Sequence, residues 1–281
     1  MERKTVDKFE AHWQVDESDQ TAVAFIKERS QLSVGQIKKA MKSGAVWITV
    51  DQSTQRLRRA KRKLKSGQEI HLYYDEKVLN SAIEEPVLVK DNKHYSVWYK
   101  PYGVWSQGSK WGDHCTLARY AEQNLRPERP AFIVHRLDRA TRGLMLLAHS
   151  KEYAANLSQS FANRNIKKTY QAIIHGRLSF DKKSISEALD GKEAISHIDN
   201  RAYCSKTDRS LVFVGIDTGR KHQIRRHLSG LGYPIVGDRL YGSALDTEEN
   251  LMLLAYQLVF KLAENVDEET YVVDQNLQLV L

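Results

Sequence analysis

The stretch His135-Arg136-Leu137-Asp138-Arg139-Ala140-Thr141-Arg142-Gly143 sets one carboxylate among three arginines, between the apolar runs Phe132–Val134 and Leu144–Ala148. Nearby cations favour the ionised form of a carboxylate. An ionised Asp138 could act as a nucleophile or a general base. The same residues could equally make a surface ion-pair loop, the commoner fate of an Asp among arginines. Taken alone, the stretch leaves both open. Tyr170, on an apolar run, reads first as a core residue. Gly219 and Gly237 read as turn residues. His222 and His227 are five apart and do not share a helical face as metal ligands four apart would, so no metal site is expected.

The elements that must position such residues follow from patterning. A chain of 281 residues has room for a large domain and a small one. Charge is uneven. Residues 36–65 carry ten bases (Lys38, Lys39, Lys42, Arg56, Arg58, Arg59, Lys61, Arg62, Lys63 and Lys65) against one acid, Asp51. That local excess is larger than the +8 net charge of the whole chain, which argues for a separate basic module with a polyanionic partner. Two distant cysteines, Cys115 and Cys204, suggest neither a disulfide framework nor a zinc site. With no apolar run of membrane-spanning length and a polar N-terminus, the expectation is a cytoplasmic protein with no membrane contact, and a monomer.

Residues 1–80 read as a compact α/β unit. A helical pattern runs from about Asp19 to Arg29; Ser33 is placed to cap a second helix that buries Ile37, Ala40 and Met41 and stops at Gly44. Val46, Ile48 and Val50 alternate like a strand, as do Ile70, Leu72 and Tyr74. Residues 75–87 read as a linker. Residues 81–281 mix strands with short helices: Val87–Val89 and Val97–Tyr99 about an Asp91-Asn92 turn, a helix capped by Thr116, and strands at 132–134 and 144–148. A helix from Ser150, strands at Lys168–Ile174 and Leu211–Ile216, and a helix carrying Ile224, Leu228 and Leu231 complete the pattern. The class is α+β, sheet-centred, without internal repeats.

Three ordered segments decide between the readings of Asp138. His135-Arg136-Leu137-Asp138 resembles the catalytic motif of the RluA-type RNA pseudouridine synthases. Lys168-Thr169-Tyr170-Gln171-Ala172 is similar to that family's K-x-Y-x-A strand. Thr218-Gly219-Arg220-Lys221-His222-Gln223-Ile224-Arg225-Arg226-His227, followed by Gly237-Asp238 and Tyr241-Gly242, is similar to its TGR-x-HQIR-x-H…GD-x-x-YG block. Lys100-Pro101-Tyr102-Gly103 sits where the family opens its catalytic domain. The resemblance implies Asp138 as the catalytic aspartate, Arg225 as the arginine that pairs with it, and Tyr170 as the tyrosine that packs on the target uracil. It implies Arg136 as the arginine that enters the RNA. It also brings Arg139, Arg142, Lys168, Arg220 and His222 toward the substrate.

Isomerising uridine breaks the bond from ribose to uracil nitrogen, turns the base and rejoins it through carbon. No redox step occurs and no atoms are lost, so neither cofactor nor metal is required. The carboxylate could add to ribose or base, or assist elimination. The base must leave the stack first. Two departures stand out: Arg142 occupies a position where the family commonly has Ser, and Leu254-Ala255-Tyr256 lacks the histidine of the family's Leu-His-Ala.

Residues 19–75 resemble the alpha-L RNA-binding domain, through Leu32-Ser33, Lys38–Val46 and Lys65–Ile70, with Val34 where an arginine is usual. Lys38, Lys39, Lys42, Arg58, Lys61, Arg62 and Lys65 are the expected RNA contacts; the last four would share a face if that stretch were helical. The expected partner is structured RNA, large-subunit ribosomal RNA or else tRNA. A non-catalytic RNA-binding protein and a base-releasing glycosylase are the competing classes. An intact Asp138, Tyr170 and Arg225 set argues against the first; released free base would mark the second.

Overall fold

A computed structural model describes residues 7–242, 248–261 and 267–281. The chain forms two compact units. One comprises the chain up to Ile83 together with Gln107–Tyr120; the other comprises Glu84–Ser106 and Ala121–Leu281. Patterning placed one boundary near residue 80 and did not anticipate that Gln107–Tyr120 belongs with the N-terminal unit.

The N-terminal unit contains β1 (Lys8–Gln14), α1 (Ala22–Arg29), α2 (Val34–Lys42), β2 (Val46–Val50), β3 (Ser53–Arg56), β4 (Glu69–Asp75) and α3 (Glu76–Leu79). Its antiparallel sheet has the order β1-β4-β2-β3. Ser33 caps α2 with a reciprocal box: its hydroxyl accepts from Gln36 N, and Gln36 Oε1 accepts from Ser33 N. Phe25 and Ile26 of α1 and Ile37, Ala40 and Met41 of α2 bury against Val46, Ile48, Ile70 and Leu72. Helix α1 begins later than its periodicity suggests, because Asp19 is left-handed and Thr21 supplies the cap. The stretch from Leu57 to Lys65 is not helical. Leu57 and Leu64 are both buried, and Ala60 O, Arg62 O and Leu64 N bond to Val23 N, Ala22 N and Gln20 O. Those bonds use the backbone groups a helix would need, so Arg58, Lys61, Arg62 and Lys65 do not form the single helical face expected of them.

The second unit is built on one ten-stranded sheet. In chain order it holds β5 (Val87–Asn92), β6 (Tyr95–Lys100), β7 (Phe132–Ile133), β8 (Arg142–Ala148), α5 (Lys151–Ala162), β9 (Lys167–His175), β10 (Lys182–Ser186), β11 (Ile195–Cys204), β12 (Arg209–Ile216), α6 (Gln223–Gly230), β13 (Leu253–Phe260) and β14 (Glu269–Val272). A further helix, α4 (Leu117–Asn124), straddles the division between the units and is capped by Thr116. The sheet runs β10-β11-β12-β9-β13-β8-β6-β5, with β14 on β13 and β7 on β8. Patterning found β2, β4, β5, β6, β7, β8, β9 and β12 but missed β1, β3, β10, β11, β13 and β14. Of these, β10 reads Lys-Lys-Ser-Ile-Ser and buries only its isoleucine, so its apolar signal is too thin to read. No helix of the described residues is long and apolar enough to cross a membrane.

Two central pairings position the site. β8 runs parallel to β13, with Gly143 opposite Ala255, and β13 runs antiparallel to β9, with Ala255 opposite Tyr170. Gly143 adopts φ +117, and a Cβ there would meet Ala255 O at 2.3 Å. Only glycine allows that approach, which seats the start of β8 against Ala255 of β13, the strand between β8 and β9.

Candidate active site

Asp138 lies in the loop between β7 and β8, and its backbone carbonyl accepts from Thr141 N at 3.1 Å. The loop is clamped from a second segment, residues 100–106. Ser106 Oγ donates to Leu137 O (2.6 Å) and accepts from Leu137 N (3.0 Å), and Gly103 N donates to Arg139 O. Beneath them lies Lys100, fully buried, with Nζ bonded to the carbonyls of Val104 (2.9 Å), Pro101 (3.2 Å) and Arg139 (3.4 Å). Burial pulls its pKa down to about 7, against the opposing pull of Asp138. A lysine that ties three carbonyls of two loops positions Asp138 from below. Its sequence signal was the Lys-Pro-Tyr-Gly segment; Ser106 had none.

A cleft of about 330 Å³ opens above the loop. Its walls include Arg136, Asp138, Tyr170, Arg220, His222 and Arg225. The three residues expected to be catalytic, Asp138, Tyr170 and Arg225, thus meet in one place although 87 positions separate the first from the last. The Tyr170 ring comes from β9. Burial raises its hydroxyl pKa and the negative charge of Asp138 raises it further, so at neutral pH this group is a proton donor.

The expected pairing of Arg225 with Asp138 is not what the structure holds. Arg225 gives Nε and Nη2 to the two oxygens of Asp238 at 2.7 and 2.6 Å, both side chains being almost wholly buried. Burial disfavours the Arg225 charge, but the Asp238 bonds outweigh it and raise its pKa. Asp238 also accepts from Leu240 N and Tyr241 N. It can do so because Gly237, at φ +75, turns the chain where a Cβ would strike Asn250 O at 2.4 Å. A bidentate pair is the strongest claim on a guanidinium.

The side chain that comes up to the Asp138 carboxylate is one that helical spacing passed over. Among the described residues His222 Nε2 lies 3.7 Å from the Asp138 carboxylate, a contact that becomes an ion pair only when the imidazole is protonated. His222 stands at the start of α6 in the left-handed conformation, φ 55, with no capping bond of its own, and its Nδ1 lies 3.0 Å from the Tyr241 hydroxyl. A non-glycine residue held there is a local strain that neighbouring contacts must support. Burial lowers the His222 pKa, while Asp138 works in the opposite sense. His227 turns away to Ser196 Oγ and Glu187 O and is structural.

Of the three arginines around Asp138 in sequence, Arg136 shares the cleft with it, whereas Arg139 and Arg142 turn to other partners. Arg139 donates to Gly103 O and lies over Trp105. Arg142 interacts with Tyr99 and leaves a buried Nε without a partner. Neither lines the cleft. His135 is also structural: its Nε2 accepts from Leu146 N, its ring stacks on Phe161 at 4.3 Å, and burial drops its pKa to about 3. Arg136, Lys168 and Arg220, with Arg164, line a second depression of about 400 Å³ that shares Tyr170 with the cleft. Arg220 additionally donates to Glu193 O.

In the N-terminal unit, Lys38, Lys42, Lys61 and Lys65 are exposed. Lys39 donates to Asn80, and Arg62 is half-buried beside a groove formed by residues 56–62. Arg58 bonds Asp113 and Lys42 O, so it is a structural residue of that unit.

A family model described as RNA pseudouridylate synthase matches residues 94–230. A protein of Aquifex aeolicus named as an uncharacterized RNA pseudouridine synthase is 30% identical over 257 residues, covering 80% of each chain. The tRNA pseudouridine synthase C of Pasteurella multocida is 34% identical, over 65% of this chain and 85% of its own. The ribosomal large subunit pseudouridine synthase C of Buchnera aphidicola is 37% identical, over 58% and 56%. The solved structure of human RNA pseudouridylate synthase domain containing 1 superposes with a TM-score of 0.57 at 22% identity, covering 69% of this chain and 85% of its own, a likeness of fold.

Proposed function

The chain belongs to the RNA pseudouridylate synthase family, and we propose that Asp138 is its reacting carboxylate and that its substrate is a uridine of large-subunit ribosomal RNA. The observation that carries the assignment is the convergence of Asp138, Tyr170, His222 and Arg225 on one cleft. Its volume sits at the small end of ligand pockets, roughly 300–1,000 Å³, which suits one extruded nucleotide and not a duplex. Arg136 stands on both the cleft and the neighbouring depression, where it can enter the space that a flipped base vacates. Lys168, Arg164 and Arg220 are placed to meet the flanking phosphates.

Within the cleft Tyr170 offers its face to the free uracil and its protonated hydroxyl as a donor. Asp138 supplies negative charge at the carbon of ribose as the bond to nitrogen breaks. His222 stands beside the carboxylate, and the Arg225–Asp238 pair fixes α6 against the Gly237 turn. The basic N-terminal unit favours a large folded RNA. A tRNA substrate is the alternative, favoured by the name of the Pasteurella relative. Pseudouridine mapping across total RNA decides, comparing cells lacking the gene with cells complemented by wild type or Asp138→Asn. The expected result is one or a few large-subunit sites restored only by wild type. Sites confined to tRNA would replace the substrate assignment, and restoration by Asp138→Asn would remove Asp138 from the chemistry.

A further inference from the structure

The N-terminal sheet carries a cluster that the RNA chemistry does not use. In β4 the buried residues Ile70, Leu72 and Tyr74 face the core, so Glu69 and His71 share the opposite face. The antiparallel register of β1 on β4 sets His12 directly across from His71. Two residues on one strand and a third across the ladder thus bring three ligand atoms within 4.8 Å of one another. We propose that His12, Glu69 and His71 form a binding site for a divalent transition-metal ion, Zn²⁺ by the chemistry of its donors.

His12 Nδ1 and His71 Nδ1 lie 2.8 Å apart. Two lone pairs do not face each other at that distance, so a proton or a cation sits between the rings. The Glu69 carboxylate lies 3.9 Å from His71 Nε2, and His71 is its ion-pair contact among the described residues. A carboxylate without a lysine or arginine partner beside two imidazoles supplies the charge that a dication needs and a shared proton does not. Thr49 Oγ1 holds His71 Nε2 at 2.7 Å and is itself 2.8 Å from Thr54 Oγ1. That is the outer-shell bond by which a metal-binding histidine is usually oriented.

The fit requires a small movement. Zinc–nitrogen bonds of about 2.0–2.1 Å in a tetrahedron place ligand nitrogens about 3.3 Å apart, so the rings must part by about half an ångström. His12 is exposed, with His71 and Tyr73 as its ring neighbours. Two imidazoles and one carboxylate suit zinc, cobalt, nickel or copper, whereas magnesium and calcium prefer oxygen throughout. Three protein ligands leave a fourth position to water. Because β1 is an edge strand held to the sheet through β4 alone, a metal across this pair staples the edge in place.

The test uses tag-free full-length protein stripped with a chelator and then titrated with Zn²⁺ in competition with a chromophoric chelator. Co²⁺ serves as a spectroscopic probe of geometry. The expected result is one equivalent bound, tetrahedral-type Co²⁺ absorption, and a thermal midpoint that rises with Zn²⁺. His12→Ala and Glu69→Gln should each weaken Zn²⁺ by about tenfold or more. Both should lose the Co²⁺ spectrum and the midpoint rise while keeping the wild-type circular dichroism. Zn²⁺ affinity equal in wild type and His12→Ala would overturn the proposal, since the chain has ten histidines that could bind weakly elsewhere. Failure of the wild type to bind one equivalent, or an equal response to Mg²⁺, would overturn it as well.

Discussion

The basic segment of the N-terminal unit and the arginine-rich loop around Asp138 look alike as sequence and behave alike in structure: much of the positive charge is already committed. In the first, Arg56 and Arg58 converge on Asp113 and on backbone carbonyls. In the second, Arg139 and Arg142 leave the carboxylate for Gly103 O, Trp105 and Tyr99. The regions differ in what remains. The N-terminal unit keeps flexible, exposed lysines, suited to phosphates in many geometries. The cleft keeps one carboxylate beside His222, with a buried Arg225–Asp238 pair behind it. Charge counted along a chain measures supply; the partners decide how much is available to a ligand.

That contrast can be broken at several points. The largest effect is expected at Asp138→Asn, which keeps shape and removes the reacting charge: pseudouridine formation should fall to background with RNA affinity and fold retained. Turnover near wild type would return Asp138 to the status of a surface acid. Next comes Tyr170→Phe, which keeps the ring and removes the donor. Turnover should drop by roughly 10²–10⁴-fold with a smaller change in affinity. Equal turnover would make Tyr170 a stacking surface only.

Asp238→Asn tests whether the pair behind the cleft is structural. Removing one member of a buried pair typically costs about 3–5 kcal/mol, so unfolding midpoints should fall clearly in denaturant titrations. A smaller loss, with Arg225 found on Asp138 in the variant, would show that the two carboxylates compete for one guanidinium.

His135 supplies a pH test. Its ordinary pKa is 6.5, and burial, with a smaller contribution from Lys168, takes it to about 3 in the folded protein. Between those values the unfolded chain binds a proton that the folded chain refuses, so stability declines as pH falls from 6.5 toward 3. Comparison of wild type with His135→Phe across that window should show a shallower decline in the variant. Parallel curves would mean the folded histidine accepts its proton normally.

The smallest effects concern RNA binding. If Lys61 and Lys65 each neutralise a phosphate, replacing both with Ala should flatten the slope of log affinity against log salt by roughly 1.4–1.8. Arg58→Ala should leave that slope nearly unchanged and lower stability instead. The reverse pattern would show that Arg58 is released on binding. Removal of residues 1–80 would not excise the N-terminal unit cleanly, because Gln107–Tyr120 belongs to it. Trp47 Nε1 donates to Lys110 O, and Tyr73 packs edge-on to Trp111 at 5.8 Å.

What the sequence determined by itself was local or borne by contiguous motifs. The Ser33–Gln36 box, the alternation of β2 and β4, the Thr116 cap and the three segments around Asp138, Tyr170 and Arg225 are all short-range patterns. They survive without a third dimension because each is written within a few residues. What the tertiary structure alone decided was pairing at a distance. It gave Arg225 to Asp238, His222 to Asp138 and Lys100 to three carbonyls of two loops. It held residues 57–65 out of a helix by bonds to residues 20–23. It also set His12 opposite His71, where shifting β1 by one residue would turn its histidine to the other face. The reason is common to all: side chains have short reach and several acceptable partners. Which partner is met depends on register and on backbone turns such as those at Gly143 and Gly237, and both are settled only when the sheet closes.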